Sequence, residues 1–167
     1  MRQIGAIRFI VDHNVGKLAK WLRMMGYDSL FFNGEDDSSM IATALAEDRI
    51  VLTRDTHIIK RRLVTSGRIR AILIAYETPE QQVKQVITAL KLDIHFKPFS
   101  LCLECNQPLV ERSKGQVGGR VPPYVFKTQQ QYMECPACNR IYWRGTHWQA
   151  MTRKLDRIIS HQGKETI

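Results

Sequence analysis

Residues 7–12, Ile-Arg-Phe-Ile-Val-Asp, form a short run of apolar and β-branched residues that ends in an acid. This composition predicts a first β-strand over 7–11, with Asp12 at its end. Apolar residues then recur at the i, i+3, i+4 and i+7 positions of a helix, and they are Leu18, Trp21, Leu22 and Met25. Gly26 follows and predicts the end of that helix. The sequence therefore begins with a strand and an amphipathic helix.

The same alternation of strand and helix patterns continues to residue 96. The further predicted strands cover residues 29–32, 50–53, 68–76 and 93–96. Three more helices are predicted: one capped by Asp37 or Ser38, a short one over 57–64, and one that begins with the capping box Thr78-Pro79-Glu80-Gln81. Strands that alternate with helices predict an α/β fold, in which an open and mostly parallel sheet carries helices on both faces.

Composition and charge limit the classes of protein that fit this sequence. The chain has 167 residues, of which 44% are hydrophobic and 25% charged, so we expect a folded core rather than disorder. The longest apolar run, residues 71–76, is far shorter than the roughly 20 residues of a membrane-spanning helix, and no signal-peptide pattern opens the sequence. We therefore expect a cytoplasmic protein without membrane contact. The net charge of +9 favours a nucleic-acid partner, although charge alone is a weak indicator.

The four cysteines form two Cys-x2-Cys pairs, separated by 29 residues, and they are Cys102, Cys105, Cys135 and Cys138. Two-residue spacing lets both sulfurs of a pair face one ion, so two such pairs predict a structural Zn2+ site with four thiolate ligands. Four unrelated thiols or a redox pair are the alternatives. We expect a zinc ribbon with a final helix over 98–160, after an α/β domain over 1–97. The buried face of the final helix is predicted to hold Trp148, Met151, Leu155, Ile158 and Ile159.

Three aspartates follow successive predicted strands. Asp12 ends the first strand, Asp37 starts the helix after the second, and Asp55 lies just past the third. The carboxyl ends of parallel strands share one edge of a sheet, so we expect these carboxylates to converge there. Oxygen ligands of this kind suit Mg2+ or Mn2+, and such a metal can promote the hydrolysis of a phosphodiester. Alternatively Asp37 only caps its helix, its neighbour Asp36 is the ligand, or Glu77 adds a fourth acid.

Basic and aromatic residues offer contacts for RNA. Lys17 and Arg23 lie on the polar side of the first predicted helix, and Arg54 precedes Asp55, so these three side chains are candidates for phosphate binding. A merely solvated helix face explains the first two equally well. The run Tyr142-Trp143-Arg144 can either stack on a base or pack the ribbon against the sheet.

Several motifs, in this order, carry a resemblance to a known family. They are Phe9-Ile10-Val11-Asp12, then Gly16-Lys17-Leu18-Ala19-Lys20-Trp21-Leu22-Arg23-Met24-Met25-Gly26-Tyr27-Asp28, then Leu52-Thr53-Arg54-Asp55, the two cysteine pairs, and Ile141-Tyr142-Trp143-Arg144-Gly145-Thr146-His147. Over residues 7–152 the sequence resembles the Mut-seven C-terminal RNase family of the PIN-like nuclease group. The resemblance implies a PIN-like fold, an RNA substrate and metal-dependent ribonuclease activity, with Asp12, Asp37 and Asp55 as catalytic metal ligands. His13 departs from the family, which has a small or apolar residue after the first aspartate.

Three other functions compete with a Mg2+- or Mn2+-dependent ribonuclease. The first is a non-catalytic RNA- or ribosome-associated binding protein, in which the acids are relict or structural. The second is a toxin-like nuclease held by an antitoxin, although the sequence identifies no protein partner. The third is a phosphoacceptor domain, which usually has an acidic pair directly after its first strand, whereas His13 and Asn14 follow Asp12 here.

Overall fold

A computed structural model describes residues 6–34 and 36–160. Its first part is a four-stranded parallel sheet with the strand order β2-β1-β3-β4. The strands are β1 (Phe9–Asp12), β2 (Ser29–Phe32), β3 (Ile50–Thr53) and β4 (Ala71–Leu73). Every residue of the two central strands, β1 and β3, is buried, which is why both read as continuous apolar runs. The predicted α/β fold is confirmed.

Helices flank this sheet and supply its core. They are α1 (Lys17–Met24), α2 (Asp37–Glu47), α3 (Thr56–Ile59), α4 (Arg62–Thr65) and α5 (Pro79–Leu90). Ile10 and Val51 of the central strands pack with Met40 of α2 and Ile58 of α3 in one buried cluster. Helix α1 packs against α5, and its apolar residues are buried at the spacing that the sequence predicts. These helices hold the carboxyl ends of the strands in fixed positions, which matters for the acids described below.

Local sequence signals set the ends of several helices. Gly26 follows α1 with a φ of 95°, a conformation that glycine adopts without strain, and a Cβ there would lie 2.3 Å from the carbonyl oxygen of Lys97. Helix α5 begins as predicted, with Thr78 as the N-cap and Pro79 in the first turn. Helix α2 differs from the prediction, because its N-cap is Asp36 and not Asp37 or Ser38.

Three other elements differ from the prediction. The fifth strand expected over 93–96 is a series of turns, because the Asp93 carboxylate accepts the His95 N–H (2.9 Å) and the Asp93 carbonyl accepts the Tyr27 hydroxyl (2.9 Å). Strand β4 is shorter than the strand predicted over 68–76, and at its end the side-chain amide of Gln85 accepts the N–H of Ala75 and donates to the carbonyl of Leu73. The helix predicted over 57–64 is two single-turn helices, α3 and α4.

The chain divides into two compact units, Met1–Pro98 and Phe99–Ile167. The second unit contains an antiparallel sheet in the order β5-β6-β7, formed by β5 (Val110–Arg112), β6 (Tyr132–Glu134) and β7 (Ile141–Tyr142). Its helices are α6 (Lys114–Val117), α7 (Pro123–Thr128) and α8 (Thr146–Ser160). Helices α6 and α7 were not predicted from the sequence. Met151 and Leu155 of α8 are buried. Among the described residues, no helix is both long enough and apolar enough to cross a membrane.

Between residues 99 and 160 of the second unit, the buried carboxylate is that of Glu134 on β6. Arg120 donates a hydrogen bond to it, and Arg112 donates a second one at 2.7 Å. These two guanidinium groups hold the pKa of Glu134 at about 2, well below its ordinary value. The three side chains therefore tie β5, β6 and the segment after α6 together by charge.

Candidate functional site

Asp12 lies at the carboxyl end of the central strand β1 and is 3% exposed. Its Oδ1 accepts the backbone N–H of His13 at 2.9 Å and lies 3.0 Å from His13 Nδ1. Its Oδ2 accepts the hydroxyl of Thr53 at 2.7 Å. Burying a carboxylate is costly unless hydrogen bonds replace its water, and these contacts supply that replacement. The Asp12 side chain is thereby fixed at the edge of the sheet.

Thr53 connects Asp12 to Asp55. The hydroxyl that donates to Asp12 also accepts the backbone N–H of Asp55 at 3.0 Å. The Asp55 carboxylate then caps α3 by accepting the N–H of His57 at 2.8 Å. Thr53 is fully buried at the end of β3, beside Asp12 in the parallel pairing of β1 and β3. One hydroxyl therefore sets the relative position of the two acids.

The two acids after β2 have different roles. Asp36 caps α2 through the N–H of Ser38 (2.9 Å) and the hydroxyl of Ser39 (3.0 Å). These hydrogen bonds, the one from Ser39 first, hold the pKa of Asp36 below its ordinary value. Asp37 is half-buried at the first position of α2, and no hydrogen bond joins its carboxylate to another residue that the structure describes. Asp36 is therefore committed to the helix cap, whereas Asp37 is not.

The three predicted acids lie along one edge, but they do not form a closed ligand set. Strand β2 ends at Phe32, which is paired with Asp12, so the segment that leads to Asp37 leaves from the same edge as Asp12 and Asp55. Among the described residues, however, these carboxylates are not a group whose oxygens all lie within 4.8 Å of one another. Asp12 and Asp55 both direct oxygens at protein donors instead.

Two of the predicted basic residues lie close to this edge in the chain and are exposed. Lys17 is the first residue of α1, after the short 3-10 turn that follows Asp12. Arg54 lies between Thr53 and Asp55, and its backbone N–H donates to the side chain of Asn14 at 3.2 Å. Its guanidinium is 3.9 Å from the carboxylate of Glu77, whose side chain is 84% exposed.

Arg23 is not placed for phosphate binding. It lies near the C-terminal end of α1, it is buried, and its Nε donates to the carbonyl of Ser29 at 2.9 Å. Ser29 begins β2, so this contact is at the opposite edge of the sheet from Asp12. The suggestion that Arg23 contacts RNA is therefore corrected: its side chain joins α1 to β2.

The four cysteines of the second unit do form a closed set. Their sulfurs all lie within 4.8 Å of one another, and those of Cys102 and Cys138 are 3.7 Å apart. Tetrahedral zinc with Zn–S distances of about 2.3 Å separates its sulfurs by about 3.8 Å, so this set fits a zinc ion. Cys102 and Cys135 are buried, whereas the second cysteine of each pair is half-buried.

The two cysteine loops have the same backbone structure. In each, an asparagine after the second cysteine has a φ of 62°, and it is Asn106 in one loop and Asn139 in the other. Its N–H donates to the carbonyl of the first cysteine, at 2.9 Å for Cys102 and 2.8 Å for Cys135. Asparagine tolerates this left-handed conformation better than most residues do. Both loops therefore turn their sulfurs in the same manner towards one centre.

Tyr142 of β7 contacts this cysteine cluster. Its hydroxyl is 3.1 Å from Cys102 Sγ and accepts the N–H of Leu103 at 3.2 Å. Burial raises the pKa of Cys102, but the hydrogen bonds from Tyr142 and from the backbone outweigh it and bring the pKa to about 7. Hydrogen bonding with Cys138, followed by burial, raises the pKa of Cys105 to about 12. Cys102 therefore ionises more readily than Cys105 or Cys135, and ionisation is what a metal ligand needs.

Comparison with known families decides the identity of the chain. The sequence model of the family described as Mut7-C RNAse domain matches residues 7–155. The chain belongs to this family. The match includes both the parallel sheet and the cysteine cluster, and it confirms the family that the motifs indicated. No curated protein and no solved structure matches the sequence.

Membership of the Mut7-C RNAse domain family supports a nuclease-type function and implies RNA as the substrate. Two residues at the candidate sites of this Mut7-C chain, Thr53 and Asn14, were missed as site residues in the sequence analysis, whereas Tyr142 was considered only as part of a run that stacks on a base or packs the ribbon. Thr53 and Asn14 bridge the loops after β3 and β1. Tyr142 contacts a cysteine sulfur. The available signal for Thr53 was its position: it ends an apolar strand and lies two residues before Asp55.

Proposed function

We propose that this Mut7-C protein is a metal-dependent ribonuclease that hydrolyses RNA phosphodiester bonds at the carboxyl edge of its parallel sheet. Asp12, Asp37 and Asp55 are the proposed ligands of Mg2+ or Mn2+. The observation that carries the proposal is the buried carboxylate of Asp12, joined through the hydroxyl of Thr53 to the backbone of Asp55. Ligands of open α/β sheets gather at the carboxyl ends of the strands, and a buried carboxylate fixed there is a candidate functional group.

The donor chemistry of this edge fits a hard divalent cation. A carboxylate has about four acceptor sites, and the contacts of Asp12 with His13 and Thr53 leave one free. Mg2+ is commonly held by one or two carboxylates together with water, so the three acids along this edge do not all have to contact the ion at once. When bound, such a metal activates water and stabilises charge on the phosphate.

The other residues of the edge would bind and orient RNA. Lys17 and Arg54 are exposed cations that flank the acids in the chain, and we propose that they hold phosphates on either side of the scissile bond. Arg23 has no part in this binding, because it is buried against Ser29. The Asp12 carboxylate is held by Thr53 and the Asp55 carboxylate by the N–H of His57, so both need little reorganisation when substrate arrives, which favours catalysis.

We further propose that the four cysteines hold one structural Zn2+ that stabilises the second unit. That unit is small, and metal binding commonly supplies the folding energy that such a unit lacks. Four thiolates and one Zn2+ together carry a charge of −2, so the protein remains basic, as RNA binding requires. Reduced thiols suit a cytoplasmic location, which is part of the proposal.

A non-catalytic RNA-binding protein is the second candidate. The observation in its favour is that, among the described residues, the three aspartates do not form a group of side chains placed together to hold a metal ion. This candidate predicts RNA binding without metal-dependent cleavage. It also predicts that replacing an aspartate of the edge leaves the RNA intact, as the wild type does.

The experiment that separates them incubates a mixed RNA pool with the wild type, Asp12→Asn and Asp55→Asn, with Mg2+, with Mn2+ and with neither. We expect cleavage by the wild type only with metal, and a loss of at least about 100-fold in either variant. Asp48→Asn is the matched control, because Asp48 is exposed at the far end of α2. This variant should cleave RNA like the wild type. Equal cleavage by all four proteins, unaffected by metal, would contradict the proposed site.

A further inference from the structure

A groove of about 560 Å³ lies within the second unit. Helix α7 forms one wall, and β7 with the first turn of α8 forms the other. The side chains that line it include Tyr124, Gln129, Tyr142, Trp143, His147 and Trp148. Its volume lies within the range of about 300–1,000 Å³ that is typical of small-ligand sites. The groove can therefore hold one nucleotide-sized group.

Both walls of the groove are anchored from behind. Tyr132 of β6 is fully buried, and its hydroxyl is bonded to the α7 carbonyl of Val125 (2.9 Å) and to that of Gln129 (3.0 Å). On the opposite wall, the hydroxyl of Tyr142 is held by Cys102 and by the N–H of Leu103. The groove is thus preformed, and one wall is attached directly to the cysteine cluster.

The aromatic side chains that line the groove differ in how much of their surface is exposed. Tyr124 is 76% exposed, which makes it the most exposed of the large hydrophobic side chains that the structure describes. Trp143 and Trp148 are half-buried in the opposite wall. Gly145 makes room for the indole of Trp143, since a Cβ there would lie 2.8 Å from its Nε1. An exposed ring that faces a groove is a surface on which a planar group can stack.

The charge around the groove suits a polyanion. None of the residues that line it is acidic. Lys127 of α7 and Arg144, which follows Trp143, are both exposed, and each lies next to groove-lining residues in the sequence. Between residues 99 and 160 there are nine basic and four acidic side chains, and the acid Glu134 is already paired with two arginines. The charge therefore favours a ligand with phosphates over an acidic or neutral peptide.

We propose that this groove binds an unpaired base of single-stranded RNA, which stacks on Tyr124. Gln129 and Gln149 line the groove, and their side-chain amides are the proposed partners of the edge of the base, while Lys127 and Arg144 are the proposed contacts of the phosphates that flank it. A duplex is excluded as the ligand because its bases are stacked on one another. The proposal rests on the RNA substrate of the proposed function, but it concerns binding and not cleavage.

The test measures binding of a fluorescein-labelled, 12-nucleotide single-stranded RNA to the full-length protein, without added Mg2+ or Mn2+. Stacking of a base on an aromatic side chain is worth about 1–3 kcal/mol, so Tyr124→Ala should weaken binding about 5- to 100-fold. Tyr124→Phe keeps the ring and should bind like the wild type. Since Tyr124 is exposed, both variants should keep their fold and their zinc. Circular dichroism and metal analysis check this.

A second readout uses the same RNA with one 2-aminopurine. Its fluorescence should be quenched by the wild type and by Tyr124→Phe, but not by Tyr124→Ala, because stacking causes the quenching. Wild-type affinity in Tyr124→Ala, or equal quenching in all three proteins, would overturn the groove proposal even if the protein cleaves RNA. Ring-dependent binding without any metal-dependent cleavage would support the groove and sink the nuclease proposal. A wild type that binds no RNA would overturn the groove proposal and leave the groove to another class of ligand, such as a peptide, while cleavage with Mg2+ or Mn2+ still tests the nuclease proposal separately.

Discussion

Replacing Thr53 by valine tests whether one hydroxyl organises the acidic edge. Valine keeps the shape and β-branching of threonine, so the buried end of β3 should remain packed. The change removes the hydrogen bond to Asp12 Oδ2 (2.7 Å) and the acceptor for the N–H of Asp55 (3.0 Å). The methyl that replaces the hydroxyl cannot approach Asp12 Oδ2 as closely as 2.7 Å, so the effect reports on the loss of these two bonds together with a displacement of the Asp12 carboxylate.

The magnitude follows from the burial of the groups that lose a partner. A hydrogen bond to a charged group contributes about 1.5–3 kcal/mol, and the Asp12 carboxylate that loses it is 3% exposed. The Asp55 N–H is half-buried and contributes about 0.5–1.5 kcal/mol. We therefore expect Thr53→Val to lower the free energy of unfolding by about 2–4 kcal/mol. Cleavage should fall as well, because Asp12 and Asp55 lose their common support.

Urea unfolding and metal-dependent RNA cleavage are the two assays. Thr43→Val is the matched control: Thr43 lies on α2, where its hydroxyl only donates to the carbonyl of Ser39 one turn earlier (3.0 Å), and its loss should cost less than about 0.5 kcal/mol. The reasoning would be refuted if Thr53→Val were as stable as Thr43→Val and cleaved RNA at the wild-type rate. Unchanged cleavage with reduced stability would restrict the role of Thr53 to folding.

Three further predictions concern the basic residues, the buried glutamate and the cysteines. Lys17→Gln should weaken RNA binding and reduce its salt dependence by about one counterion, which binding at several salt concentrations measures. Arg23→Gln should leave RNA affinity unchanged and lower the stability of the protein, which urea unfolding measures. Because its partners lower the pKa of Glu134 to about 2, the stabilisation it provides is present above its unfolded pKa near 4.5 and is lost as pH falls towards 2. The stability difference between wild type and Glu134→Gln should therefore be largest above pH 4.5 and shrink below it, as denaturation over a pH series will show, whereas the exposed Glu111→Gln should show no such difference. Cys135→Ser should abolish zinc binding and make the second unit sensitive to protease, while the parallel sheet persists. Metal analysis and limited proteolysis check these effects. Retention of stoichiometric zinc would contradict the four-cysteine site.

Much of the fold follows from the sequence because its signals are local and agree with the tertiary structure. The short apolar and β-branched runs of β1 and β3 favour buried strands, and the capping box at Thr78 specifies its own helix start. Residues 93–96 show the opposite case. Their pattern permits a strand, but the hydrogen bond from Tyr27, which is 66 positions away, helps to fix Asp93 in a turn. Such a contact cannot be inferred from the local pattern.

The candidate site was only partly predictable for the same reason. Sequence order is sufficient to assign Asp12 and Asp55 to strand ends. It does not reveal which acid caps α2, because Asp36 and Asp37 are adjacent and equally capable, and the structure assigns the cap to Asp36. A helical-face argument grouped Arg23 with Lys17, yet these residues lie at opposite ends of α1, and the guanidinium is buried by its bond to Ser29. A face describes direction around a helix and not position along it.

Tyr142 contacts the cysteine cluster and also lines the groove of the second unit. This shared residue predicts which of the two proposed activities, RNA binding or cleavage, is affected first when the cluster is disrupted. Its hydroxyl is bonded to Cys102 and Leu103, while its side chain helps to line the groove. Loss of zinc or oxidation of the thiols would remove the support of that wall, so we expect the affinity for single-stranded RNA to fall first. The acids of the first unit rest on contacts within that unit, those of Asp12 with His13 and Thr53. Their geometry should therefore survive the loss of zinc, so that binding and chemistry are lost under different conditions.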